Sequence, residues 1–92
     1  MGYNWQPLTM AERRSTYVFP DVSDYEDAID HIYREMYSDY NDDNKINIYG
    51  YWGSCPKFGW ERCYRIDICS DCSDAPRAAD IFREHRGRYI DY

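Results

Sequence analysis

The sequence predicts an α+β protein, in which an antiparallel sheet of three to four strands carries two helices packed on one face. Apolar and polar residues alternate along three stretches, as they do in strands with one buried face. Two other stretches place apolar residues at helical spacing. The order is β-α-β-β-α, and a final strand would complete the split βαβ, ferredoxin-like arrangement. At 92 residues we expect a single domain, residues 1–92, in which residues 1–12 form an N-terminal arm or loop.

The first strand is predicted over residues 13–19 and ends at Pro20, because proline has no N–H to give to a sheet. The first helix is predicted over residues 24–38, where Ser23 and Glu26 match a capping box at the helix start. Its apolar stripe consists of Tyr25, Ile29, Ile32 and Met36.

Two further strands, over residues 45–52 and 60–69, are joined by a loop that has glycine at both ends. In the second strand, Ile46, Ile48 and Trp52 are expected on one face, and Asn47, Tyr49 and Tyr51 on the other. In the third strand, Tyr64, Ile66 and Ile68 are expected to face inward, and Glu61, Cys63, Arg65, Asp67 and Cys69 to face solvent.

The second helix is expected to begin at Ser73 or Asp74, with Pro76 in its first turn. Its packing stripe consists of Ala75, Ala78, Ala79 and Phe82. Gly87 fits the C′ position that commonly ends a helix. Residues 88–92 form either a short fourth strand or a tail.

Negative charge is concentrated in one segment, residues 21–43, which carries nine acidic residues against a single base, Arg34. The other 69 residues carry eight acids and ten bases, so the net charge of −6 is a property of this segment. Some of its acids follow the predicted helix, where the helix dipole disfavours negative charge, which indicates a use for the charge in binding. The candidate partner-binding residues are Asp24, Asp27, Asp30, Glu35, Asp39, Asp42 and Asp43, together with Tyr37 and Tyr40.

The acidic balance also excludes some partners. A pI near 4.7 argues against direct binding to nucleic acid and to anionic membranes, and it favours basic proteins. No apolar run approaches the length of a membrane span, and the first residues do not resemble a signal peptide. We therefore expect a cytoplasmic protein.

No catalytic or nucleotide-binding motif is present in the sequence, so we expect neither an enzyme nor a cofactor. The chain has two histidines, and neither stands at a metal-binding spacing. We expect His31 to be a solvated histidine with a carboxylate neighbour, Asp27 or Glu35.

The four cysteines are spaced C-x7-C-x5-C-x2-C, and only Cys69 and Cys72 have a standard metal or redox interval. Cys63 and Cys69 would stand about 20 Å apart on one strand at roughly 3.3 Å per residue. One zinc ion cannot bridge that distance. We expect reduced thiols with Cys55 near Cys63, and we keep a zinc or redox role for Cys69 and Cys72 as an alternative.

In size, charge, tyrosine content and lack of catalytic motifs, the chain resembles the small acidic phage proteins that block host defence, the anti-CRISPR and anti-restriction DNA mimics. The resemblance implies a non-enzymatic inhibitor that binds the basic nucleic-acid-binding surface of a protein or ribonucleoprotein complex in the host bacterial cytoplasm. A further alternative is a structural homodimer, formed through the open sheet face that carries Tyr49, Tyr51, Arg65 and Asp67.

Overall fold

A computed structural model describes residues 7–36 and 45–90, which form one four-stranded antiparallel sheet with two helices. The elements are β1 (Arg14–Phe19), α1 (Val22–Met36), β2 (Ile46–Cys55), a single 3-10 turn (Pro56–Phe58), β3 (Trp60–Cys69), α2 (Ala75–Glu84) and β4 (Arg88–Ile90). The strand order is β2-β3-β1-β4, with every neighbouring pair antiparallel. The predicted α+β fold is confirmed, and because β4 forms, the topology is the split βαβ.

The main core lies between the helices and one face of the sheet. Phe82 of α2 is its centre, with ring centroids 5.7 Å from Phe19 and 5.1 Å from Tyr17 on β1. The buried residues around it are Ala28, Ile32, Ile46, Ile66, Ile68, Ala78, Ala79 and Ile81. The predicted inward face of β3 and the predicted stripe of α2 are thus confirmed.

The other face of β3 was expected to be wet, and that prediction is wrong for three of its residues. Cys63, Asp67 and Cys69 are all buried. The N-terminal segment lies over part of this face, since the buried Leu8 donates its N–H to the Asn47 side chain at 2.9 Å. A second apolar cluster covers another part and consists of Val18, Cys55 and Cys63, with Phe58, Trp60 and Ile90 packed against it.

Helix α1 begins earlier than predicted. Its N-cap is Asp21, whose Oδ1 accepts the N–H of Ser23 at 3.1 Å while its carbonyl accepts the N–H of Tyr25. Aspartate caps a helix as well as serine does, and the predicted N-cap at Ser23 is therefore wrong by two residues. The predicted end at Ser38 lies outside the described residues.

Strand β2 runs three residues past its predicted end, because the pairing with β3 shifts register at three points. Gly50 and Gly53 have φ angles of 76° and 131°, which glycine adopts readily and which suit such bulges. The extra residue at Tyr49 reverses the faces of the residues after it. Tyr51 therefore pairs with Tyr64 on the helix side, whereas Trp52 lies by Arg65 on the open side, opposite to the prediction.

Helix α2 has Asp74 as its N-cap residue and Pro76 in its first turn, as predicted. Its end differs from the prediction, because Arg86 rather than Gly87 takes the left-handed conformation, with φ of 68°. The N–H of Gly87 binds the Phe82 carbonyl at 2.7 Å and that of Arg86 binds the Arg83 carbonyl at 3.2 Å, which is a Schellman motif. Glycine is needed at position 87 for space: a Cβ there would stand 2.6 Å from the Phe82 carbonyl oxygen and 2.9 Å from the Phe19 ring.

Candidate functional site

The predicted acidic side of α1 forms, but much of its charge is paired within the chain. The pairs are Asp24 with Arg86 at 4.0 Å, Asp30 with Arg34 at 3.0 Å, and Glu35 with Arg77. Exposed ion pairs of this kind contribute little to stability, about 0–1 kcal/mol. Their arginines nevertheless reduce the negative field that a partner would meet.

Glu26 and Asp27 are the acidic residues of this helix whose charge is not offset by an ion pair among the described residues. Both are exposed, and neither forms an ion pair with any residue in the ranges 7–36 and 45–90. The other predicted partner-binding residues, Asp39, Asp42, Asp43, Tyr37 and Tyr40, lie outside the described residues.

Tyr25 connects this acidic part of α1 to the middle of β2. Its ring stacks on Tyr64 at 5.4 Å, and its hydroxyl lies against the Gly50 backbone, where a Cβ on Gly50 would stand 3.6 Å from the oxygen. Burial raises the pKa of Tyr25, and the neighbouring Glu26 carboxylate raises it further. The Glu26 carboxylate is therefore close enough to the Tyr25 hydroxyl to act on it, at the point where Tyr25 meets strand β2.

Strand β2 carries a row of large exposed side chains along an edge of the sheet. They are Ile48, Tyr49, Tyr51 and Trp52, of which Tyr51 is 66% exposed. A sheet edge with exposed aromatic groups is a natural contact surface, because its backbone groups and rings both lack a covering layer. We call Tyr49, Tyr51 and Trp52 the β2 aromatic row; Tyr51 lies on the helix side of the strand, and Tyr49 and Trp52 lie on the open side.

Arg65 holds two members of the β2 aromatic row in place. Its guanidinium carbon lies 4.5 Å from the ring centroid of Tyr49 and 4.9 Å from that of Trp52, within the range of cation–π attraction. The same guanidinium donates from Nε and Nη2 to the two oxygens of Asp67 at 3.0 and 2.9 Å. Arg65 thus contacts both rings and the buried Asp67 carboxylate.

Asp67 anchors this arrangement and is fully buried. Besides Arg65, its carboxylate accepts hydrogen bonds from the hydroxyls of Thr16 at 2.8 Å and Tyr49 at 3.2 Å, and from Arg14 at 3.3 Å. Burial alone would raise the pKa of Asp67, but the hydrogen bonds from Arg65 and Thr16 outweigh it and hold the pKa below its usual range. An ionised, fully hydrogen-bonded carboxylate is a poor proton donor, so this geometry favours positioning over acid catalysis.

The alternation of Arg65 and Asp67 on one strand face was visible in the sequence, whereas their partners were not. Thr16 and Asn47 stand opposite Asp67 in the register of the sheet, and only the register brings them there. The expected open face with Tyr49, Tyr51, Arg65 and Asp67 is also corrected, since Asp67 is buried and Tyr51 lies on the helix side.

The cysteines are paired, contrary to the expectation of reduced thiols. Disulfides join Cys55 to Cys63 and Cys69 to Cys72, with Cα–Cα distances of 5.9 and 5.6 Å. The first pair was anticipated only as proximity, because cysteines of a cytoplasmic protein are expected to be reduced. In this state neither sulfur of Cys69 and Cys72 is a thiolate, so the pair does not offer a zinc site.

A cleft of about 630 Å³ near the end of α2 has three arginines in its lining, of which Arg83 and Arg86 are paired with Asp80 and Asp24. It is lined by Pro20, Trp60, Arg83, Arg86, Gly87 and Arg88. Arg86 is also the partner of Asp24, so the cleft borders the acidic helix at its first turn. The two signs of charge therefore occupy neighbouring surfaces.

Within residues 7–36 and 45–90, no helix is long and apolar enough to cross a bilayer. Comparisons of the chain with models of protein families, with curated proteins and with solved structures find no match.

Proposed function

We propose that this protein is a non-enzymatic binding protein that engages a basic surface on another protein. The observation that supports this most directly is the position of Tyr25. Its ring stacks on Tyr64, which also meets the exposed Tyr51 ring at 5.9 Å, so the Glu26 carboxylate beside Tyr25 lies near the helix-side member of the β2 aromatic row. Tyr49 and Trp52 flank the same sheet edge from the open face.

The charges supply attraction and orientation. A partner rich in Lys and Arg is steered toward a negative surface, and this steering weakens as salt screens it over about 8–10 Å. The pair of Asp30 with Arg34 is exposed on both sides, so a partner's arginine can replace Arg34 at small cost.

The aromatic side chains supply the affinity that exposed charges lack. Interface hot spots are enriched in Tyr, Trp and Arg and are strongest where the side chains are ordered in advance. Tyr49 and Trp52 meet this condition, because Arg65 holds both rings and Asp67 holds Arg65.

The finer form of the proposal is that the basic surface normally binds nucleic acid and that the protein blocks it by charge mimicry, as anti-CRISPR and anti-restriction proteins do. In that form Asp39, Asp42 and Asp43, with Tyr37 and Tyr40, extend the acidic surface, and the protein acts in a bacterial cytoplasm. Disulfides are uncommon in that compartment, so the two pairs would have to be shielded there or form elsewhere. Burial shields Cys55 and Cys63.

The test compares three immobilised proteins in a nuclease-treated bacterial lysate: wild type, the double variant Glu26→Lys/Asp27→Lys, and the matched control Asp71→Lys. Asp71 is an exposed carboxylate outside α1. Asp24 is left unchanged because reversing it would release Arg86 beside the acidic surface of α1, whereas the exposed pair of Asp71 with Arg13 lies outside α1.

We expect a nucleic-acid-binding protein to be retained by wild type and by Asp71→Lys and to be lost from the double variant. Added duplex DNA or RNA should displace it. Equal retention by all three proteins would contradict the binding role proposed for Glu26 and Asp27. Retention that added nucleic acid cannot displace would contradict the proposed mimicry of nucleic acid. Light scattering of the purified protein with and without salt separately tests the homodimer.

A second candidate function, thiol–disulfide exchange, is favoured by one observation: Cys69 and Cys72 are bonded in a C-x-x-C segment just before α2. Equilibration with reduced and oxidised glutathione would measure its potential. Values of about −270 to −120 mV are typical of exchange catalysts, whereas structural disulfides lie below about −300 mV.

A further inference from the structure

The two histidines of this chain meet between the helices, although 54 residues separate them in the sequence. His31 lies on α1 and His85 directly follows α2. Nδ1 of His31 and Nε2 of His85 are 2.9 Å apart, and the rings are nearly perpendicular, at 85°. The two ring nitrogens therefore face each other at hydrogen-bond distance.

Glu84 adds a carboxylate to the same place. Its Oε2 is 3.8 Å from Nδ1 of His31, and one ligand atom from each of His31, Glu84 and His85 lies within 4.8 Å of the other two. Around a tetrahedral zinc ion, neighbouring ligand atoms are about 3.3 Å apart, given metal–nitrogen bonds of roughly 2.0–2.1 Å. The distances of 2.9 and 3.8 Å lie on either side of that value, so these two pairs of atoms need shifts of about half an ångström to reach it.

The surroundings of His31 suit a metal ligand. Its second nitrogen, Nε2, lies 2.8 Å from Oε2 of Glu35, and Glu35 is itself paired with Arg77 of α2. A carboxylate that accepts the Nε2 proton leaves the Nδ1 lone pair directed at the shared position, and such a carboxylate–histidine pair commonly supports a bound metal. A cavity of about 210 Å³ beside these groups gives access from solvent.

We propose that His31, Glu84 and His85 form a binding site for a divalent transition metal of the zinc class, which joins α1 to the end of α2. Two imidazoles and one carboxylate are borderline ligands that suit Zn²⁺, Co²⁺ or Ni²⁺ and do not suit Mg²⁺ or Ca²⁺. Three protein ligands leave a fourth position for water. The proposal does not rest on the proposed partner binding, and a bound ion stabilises the fold by an amount that rises with the logarithm of the metal concentration above the dissociation constant.

The test is titration of chelator-treated protein with ZnCl2 by calorimetry, with MgCl2 as the comparison ion. We expect one Zn²⁺ per chain, a higher melting temperature in its presence, and no effect of Mg²⁺. His85→Ala should lower the affinity for Zn²⁺ by at least about tenfold, and Glu35→Gln by roughly 10–100-fold, as for other groups that support a ligand. Asp80→Asn is the matched control: Asp80 lines the same cavity without being a ligand, and its loss should leave the affinity unchanged.

The absorption spectrum of the protein with bound Co²⁺ provides a second measurement. It should show tetrahedral nitrogen–oxygen coordination without the thiolate charge-transfer bands that a cysteine site would give. Circular dichroism checks that each variant is folded before titration. Wild-type protein that binds no Zn²⁺, a folded His85→Ala variant that binds as wild type does, or a thiolate spectrum would each overturn the proposal.

Discussion

The side chains of Arg65 and Asp67 form a two-point ion pair on the sheet face away from the helices, with Nε–Oδ1 and Nη2–Oδ2 distances of 3.0 and 2.9 Å. The carboxylate is fully buried, whereas the guanidinium reaches out under the rings of Tyr49 and Trp52. One interaction thus stabilises the sheet and orders the surface that we propose for binding.

Asp67→Asn should lower the free energy of unfolding by about 3 kcal/mol, measured by urea denaturation. Removing one partner of a buried ion pair costs about 3–5 kcal/mol. The lower end applies because Arg14 and Arg65 keep partial access to water. Asp80→Asn, at an exposed aspartate on α2, is the control and should change stability by less than about 0.5 kcal/mol. Equal effects of the two substitutions would contradict the role given to Asp67.

Acid should destabilise the wild type more steeply than Asp67→Asn. The pKa of Asp67 is lowered in the folded protein, so its contribution to stability is full above the unfolded carboxyl pKa of about 3.9. That contribution is lost as the pH falls through the lower folded pKa, because the carboxyl group binds its proton more readily in the unfolded protein than in the folded one. Unfolding free energies measured at several pH values from about 6 downward should therefore converge for the two proteins at low pH. Curves that stay parallel would show that Asp67 does not titrate as expected.

Tyr51→Ser should weaken partner binding at least tenfold and change the melting temperature little, because its side chain is 66% exposed. Tyr89→Ser is the matched control, since Tyr89 is also exposed but belongs to β4, at the opposite edge of the sheet. The comparison uses the protein captured in the lysate experiment and surface plasmon resonance. If Tyr89→Ser weakens binding as much as Tyr51→Ser does, the β2 aromatic row is not the contact surface.

Gly87→Ala should destabilise the protein by about 1–3 kcal/mol, the usual cost of forcing extra atoms into a packed site. The new methyl group would meet the Phe82 carbonyl oxygen at 2.6 Å and the Phe19 ring at 2.9 Å. Arg86→Gly, at the neighbouring left-handed residue, relieves backbone strain instead and should be neutral or slightly stabilising. Thermal unfolding of both variants tests the assignment. An unchanged melting temperature for Gly87→Ala would contradict the close packing assigned to position 87.

Loss of the Cys55–Cys63 disulfide should lower the free energy of unfolding by about 2–3 kcal/mol in a chain-entropy account, since the bond closes a short loop with a sequence separation of 8. The double variant Cys55→Ala/Cys63→Ala and the wild type are compared by denaturant unfolding, with and without reductant. Reductant should lower the stability of the wild type more than that of the variant. Four reactive thiols in the native, air-oxidised protein would contradict both disulfides.

The sequence was sufficient for the α+β class, for the residues of β3 and for the inward stripes. These depend on local periodicity: Ile66 and Ile68 alternate with polar residues, and Ala78, Ala79 and Phe82 recur at helical spacing. Such patterns survive folding because each apolar face must be buried against something. The acidic character of α1 was equally local, because it is a matter of composition.

Only the tertiary structure decided which of those groups act together. A bulge at Tyr49 determines the sheet faces on which Tyr51 and Trp52 lie. The pairing of β1 with β3 places Thr16 beside the buried Asp67. The packing of α1 against α2 brought His31 to His85, and it placed Arg77 and Arg86 on carboxylates that the sequence had left free. These contacts join residues far apart in the chain, and a one-residue shift of register or of helix position would replace them all, so no local pattern encodes them.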